Sequence, residues 1–158
     1  MKWLEVIGPS LLMVLGGIIT WFIKSRVEEL RATEEKLREE RRKIYRQILD
    51  PYIYIFADLK GQGPTQAIEK IISCEYRKTA FDLNLFGSDE VVRAYNAFMK
   101  HAYEAESTGK QDPKEMMHLW GSLLLQIRRS LGNKKTKLNN LDMLRAMIKD
   151  IDTVPLEI

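Results

Sequence analysis

The stretch that most constrains this chain is Val6 to Ile23, 18 consecutive residues without a charge (VIGPSLLMVLGGIITWFI). As a helix rising about 1.5 Å per residue it reaches about 27 Å, close to the roughly 30 Å of a bilayer's hydrocarbon core. Trp3 and Trp21 stand near its two ends, where amphipathic rings favour the membrane interface, and Lys24 and Arg26 follow at once. A cleaved leader calls for a basic start and a small-residue cleavage site. Only Lys2 precedes the run, and Trp-Phe-Ile-Lys ends it where an A-x-A pattern would stand. A helix buried in a soluble core is the other alternative, and the run has almost no polar face to support it. Residues 1–23 therefore read as a transmembrane anchor.

Charge sets the orientation. Lys2 lies before the run, whereas Lys24, Arg26, Arg31, Lys36, Arg38, Arg41, Arg42, Lys43 and Arg46 lie after it. Positive flanks stay in the cytoplasm, which predicts a single-pass protein of the cell inner membrane, N-terminus outside and the bulk of the chain cytoplasmic. The lone Cys74 fits a reducing compartment. Gly8 and Gly16 share a helix face through Leu12, and small residues let helices approach closely in lipid. Pro9 either starts the regular helix or kinks it. No ionisable residue lies mid-span, so one copy offers no ion path and a pore needs several.

Residues 24–50 contain no Gly or Pro and are rich in Glu, Arg, Lys and Leu, good helix formers. Leu30, Leu37 and Ile44 repeat every seven residues, while the matching a positions Val27, Glu34, Arg41 and Ile48 are half polar. Gly8, Gly16, Leu30, Leu37 and Ile44 are the self-association candidates, predicting a homo-oligomer. The alternative is a solvated strut held by opposite-charge pairs at i,i+3 and i,i+4. Asp50-Pro51 is expected to end this helix, leaving 51–158 as the cytoplasmic domain.

That domain reads as all-α. Charged residues make up 30% of the 158-residue chain and hydrophobic ones 45%, enough for a core, and a net charge of +3 is too small to demand a nucleic-acid partner. Tyr52 to Phe56 is a dense apolar run; Gly61-Gln62-Gly63-Pro64 is a loop; Ala67, Ile68, Ile71 and Ile72 then repeat at helical spacing. Residues 76–86 alternate as Phe81, Leu83 and Leu85, but with no partner strand in the chain they are read as helix. Ser88 and Asp112-Pro113 look like helix starts, and Gly132 like a helix end. Leu141 to Ile151 reads as a last helix, with Leu144, Met147, Ile148 and Ile151 inward. The expected whole is an anchor, a charged helical strut and a compact helical bundle.

Little material for catalysis is visible, and no cofactor or metal is expected. His101 and His118 lack ligand partners at metal spacing. HEPN ribonucleases place roughly four to six residues between an Arg and a His; seven stand between Arg93 and His101, so that activity is not carried over. Phosphate-loop, nucleophile-elbow and dinucleotide patterns are absent. Cys74, beside Ile71 and Ile72, is expected to be buried and inert. The most suggestive cluster is Arg128, Arg129, Lys134, Lys135 and Lys137, five cations with no acid between them, which suit phosphate or anionic lipid.

The segments RKIYRQILDPY, EYRKTAFDLNLFGSDEVVRAY, LWGSLLLQIRRSLGNKKTKL and DMLRAMIKDI resemble an uncharacterised group of small bacterial single-pass membrane proteins with a cytoplasmic helical domain. The resemblance implies a fold and a location and brings no catalytic residues. In layout alone the chain is similar to membrane pore accessory proteins of RNA-targeting CRISPR systems. The expectation is a non-enzymatic membrane protein that self-associates and presents a cytoplasmic domain to a protein partner, a pore-forming or membrane-perturbing role in phage defence being one specific form. The alternative is a membrane-anchored nucleotide- or nucleic-acid-responsive sensor, or a HEPN-like ribonuclease, with the basic cluster and His101 in its pocket.

Overall fold

The computed structural model describes residues 3–56, 61–110 and 112–148, and within 3–16 only the side chain of Met13. The described chain is all-helical, with no strand: α1 (Trp3–Phe56), α2 (Gly63–Ile71), α3 (Cys74–Phe86), α4 (Asp89–Thr108) and α5 (Pro113–Ser130). The ambiguous segment 76–86 lies inside α3, where Tyr76, Thr79 and Leu83 form the buried face and Phe81 and Leu85 are exposed. That is helical spacing; a strand would put Phe81 and Leu83 on the same side as Leu85.

The chain divides into two compact units, Met1–Glu39 and Glu40–Ile158. In the first, α1 is lined by exchanges between neighbouring turns: Arg26 with Glu29 at 3.1 Å and Arg38 with Glu35 at 3.2 Å. Ile18, Ile19, Trp21, Phe22 and Ile23 are all exposed. Among the described residues no helix is long and apolar enough to cross a membrane. The side chains of 6–12 and 14–16, the greater part of the uncharged run and with them Gly8 and Gly16, lie outside the described residues.

The second unit begins earlier than expected, because α1 does not stop at Pro51. Proline forfeits one helical hydrogen bond and its ring crowds the preceding turn, yet α1 continues to Phe56. The compensation is burial on both sides: Ile44, Tyr45, Ile48 and Tyr52 all face the core, and Pro51 is itself fully buried. The end of the charged segment is therefore core rather than strut. Around it pack Tyr76 and Leu83 of α3, Val91, Tyr95 and Phe98 of α4, Trp120, Leu123 and Ile127 of α5, and Leu144. Tyr45 joins three elements: its hydroxyl accepts from the Ser88 N–H at 3.1 Å and hydrogen-bonds the Ser130 hydroxyl at 2.9 Å. Arg41 donates to the Phe86 carbonyl at 2.6 Å, satisfying a group that the end of α3 leaves open.

The helix starts follow their sequences. Ser73 accepts from the Tyr76 N–H at 3.1 Å, and Asp112 accepts from Lys114 and Glu115 at 3.0 and 3.3 Å, with Pro113 in the first position. Ser88 does precede α4, but its side chain makes no capping bond. The expected last helix is corrected. Leu141–Met147 is a succession of turns: the Leu141 and Leu144 carbonyls each accept from three residues on, Leu144 and Met147 at 2.8 Å, and from four residues on, Arg145 at 3.1 Å and Ile148 at 3.0 Å, without a continuous helical run. Asn139 and Asp142 exchange side-chain–backbone bonds of 2.9 Å at its start, the reciprocal pattern of a capping box. Leu144 is buried as expected and Met147 is exposed; Ile151 lies outside the described residues. Gly121 lets this segment close on α5, since a Cβ there would collide with the Asn140 carbonyl.

Candidate functional site

Within the second unit, α1 to α5 leave a half-open cavity of about 1050 Å³. The end of α1 supplies Tyr52, Ile55 and Phe56; α2 supplies Ile68 and Ile71; α4 supplies Phe98, Met99 and Ala102; α5 supplies Met116, Met117 and Trp120; Ile148 completes it. The volume lies at the upper end of ordinary ligand pockets, and the lining is of the usual apolar kind. One wall is an aromatic cluster centred on Trp120. Tyr52 lies 4.5 Å from it between ring centroids, Phe98 lies 5.3 Å away, and Phe56 stacks at 6.4 Å. Tyr52 meets Phe98 edge-on at 5.4 Å.

The polar groups in that wall are phenols. Tyr95 donates to the Tyr76 hydroxyl at 3.4 Å, and Tyr76 donates to the Ile48 carbonyl at 3.3 Å. Tyr52 donates to the Met99 sulfur at 3.7 Å, a weak acceptor. Burial pushes all three phenols above the ordinary tyrosine range, because an ionised ring here would lose its water. The indole N–H of Trp120 is buried without an acceptor. Three neutral phenols and an indole bind and orient; they offer no base to a substrate.

A second, smaller cleft of about 360 Å³ lies on the other side of Tyr76. Lys70 pairs there with Asp50 and sits 4.5 Å above the Tyr54 ring. The Asp50 carboxylate raises the Lys70 pKa. Both partners are about half exposed, so the pair adds little to stability.

The basic cluster expected to hold anions is not gathered into either cavity. Arg128 and Arg129 are half-buried at the end of α5, and Arg128 donates to the Thr136 hydroxyl at 3.2 Å. Lys134, Lys135 and Lys137 are exposed in the following loop. His101 lines neither cavity, and its Nε2 is buried without a partner. His118 is exposed beside Asn140. Among the described residues no His, Cys, Asp or Glu cluster suits a metal. Cys74 is exposed, which corrects the expectation of burial: it opens α3 just after the Ser73 cap, on the side away from Tyr76. Ile44, proposed for self-association, is core at 6% exposure, whereas Leu30 and Leu37 are exposed.

The cavity itself was not legible as a site. Its apolar residues read as core stripes, and nothing in the sequence pattern singled out Arg77, Tyr103 or Glu106. The available signal was excess: Ile68 and Ile72 beside Ile71, and Met116 beside Met117, give more apolar positions than one buried face uses. Compared with protein-family models, curated proteins and solved structures, the chain gives no match.

Proposed function

We propose that this is a non-enzymatic, single-pass membrane protein. It is tethered by Val6–Ile23, self-associates along α1, and presents the unit beginning at Glu40 in the cytoplasm, with the aromatic cavity as its interaction site. The observation carrying this reading is the exposure of Ile18, Ile19, Trp21, Phe22 and Ile23. Successive helical positions lie about 100° apart, so these five residues spread over about 200° of the helix circumference, wider than the stripe a core-facing helix buries, with Thr20 in the remaining arc. An exposed apolar surface this broad is costly in water and at home in lipid. The excess of Lys and Arg after the run supports the orientation. Pore formation and phage defence rest on layout alone and form no part of this reading.

Self-association is proposed through Leu30 and Leu37, seven positions apart and 65% and 38% exposed. The test is disulfide trapping in isolated membranes, in a Cys74→Ser background. Leu30→Cys and Leu37→Cys should form crosslinked dimers, while Ala32→Cys, on the opposite side of the helix, should not. Monomer at all three positions, or equal trapping at all three, contradicts it. The sensor alternative needs a pocket joining Arg128, Arg129, Lys134, Lys135 and His101, and no cavity described above brings them together.

A further inference from the structure

Among the described residues, the cavity's charged lining consists of one cation, Arg77, and one anion, Glu106. Both are exposed, and neither belongs to any of the ion pairs between described residues. Tyr103 also lines the cavity, 61% exposed and three residues before Glu106 on α4, so the two are neighbours on one helix face. The other described residues that line the cavity are aliphatic or aromatic, including Met99, Met116 and Met117. Methionines adapt their shape to flexible apolar guests.

We propose that this cavity binds a zwitterionic phospholipid of the ethanolamine or choline type. The acyl portion fills the apolar space. The phosphate pairs with Arg77, whose planar fork suits phosphate oxygens. The ammonium group pairs with Glu106 and lies against the Tyr103 ring, as cations do on aromatic faces. A fatty acid or a purely anionic lipid uses Arg77 and leaves Glu106 repelling the head group; a zwitterion uses both. Two opposite charges beside an apolar space of about 1050 Å³ form the juxtaposition on which this rests. The inference also leans on the tether reading, which supplies the lipid.

The test reconstitutes the full chain in phosphatidylcholine vesicles carrying a trace of acyl-diazirine phosphatidylethanolamine or phosphatidylglycerol, followed by photolysis and peptide mapping. Labelling of α3–α5 peptides by the ethanolamine probe should exceed that by the glycerol probe by about fivefold, the scale of one exposed charge contact. Arg77→Glu should abolish cavity labelling by both probes and leave labelling of 6–23 unchanged. Glu106→Lys, which makes both charges positive, should reverse the head-group preference. Equal labelling of the cavity by both probes overturns the proposal. So do an unlabelled cavity and crosslinks from cavity peptides to protein, the mark of a partner helix. Labelled cavity peptides with 6–23 unlabelled would sink the tether and leave the lipid site standing.

Discussion

Leu123, in the middle of α5, has no surface in contact with solvent, and Leu85 of α3 is 73% exposed. The two leucines look alike in sequence and differ in energy. Leu123→Ala should cost about 2–5 kcal/mol, the lost transfer energy plus the cavity left behind. Leu85→Ala should change stability by no more than about 0.5 kcal/mol. Denaturant unfolding of the two variants in the same detergent checks both. The buried phenols make a second prediction. Tyr52, Tyr76 and Tyr95 have pKa values raised in the fold, chiefly by burial, while an unfolded tyrosine titrates near about 10. Below that pH both states keep the proton and these groups add no pH dependence. Above it the unfolded chain loses protons that the fold retains, so stability falls as pH rises. Unfolding midpoints measured between about pH 9 and about pH 11.5 should decline, and Tyr76→Phe should flatten the decline. A decline just as steep in Tyr76→Phe assigns the effect elsewhere. Residue identity does not reveal which way a side chain turns, and so Cys74 and Ile44 were misplaced: one opens a helix on its outer side, and the other lies where a surface stripe turns into core.

Helix starts were the most legible elements, because a cap is a local bond between residues adjacent in sequence. Asp112 satisfies two N–H groups at the start of α5, and Asp112→Ala should cost about 0.5–2 kcal/mol in denaturant unfolding. Ser88→Ala should cost less, since its side chain makes no capping bond; an equal loss would mean that its hydroxyl matters in another way. Gly87 precedes it where a Cβ would strike the Leu83 carbonyl, so Gly87→Ala should destabilise more than either. Helix ends were less legible. Pro51 carries the local signal to stop, and α1 passes through it because Ile48 and Tyr52 bury on either side: tertiary packing outweighed one lost hydrogen bond. The segment after Asn139 shows the reverse. Its apolar spacing is helical and Asn139 and Asp142 close a capping box, yet the backbone goes on as separate turns.

On the scale of the whole molecule, class was legible and the site was not. Heptad and helical spacings place Leu30, Tyr95 and Trp120 on helices, but an open space between helices depends on how five of them stop short of one another, which no local pattern encodes. The chain divides into Met1–Glu39 and Glu40–Ile158; in the reading proposed here tethering and self-association fall to the first part and interaction to the second. The most direct measurement of the tether is alkaline carbonate extraction of membranes from cells expressing the full chain, beside an Ile18→Lys/Phe22→Glu variant. The account predicts the native chain in the pellet after extraction and the variant shifted to the supernatant. A native chain released to the supernatant would contradict it.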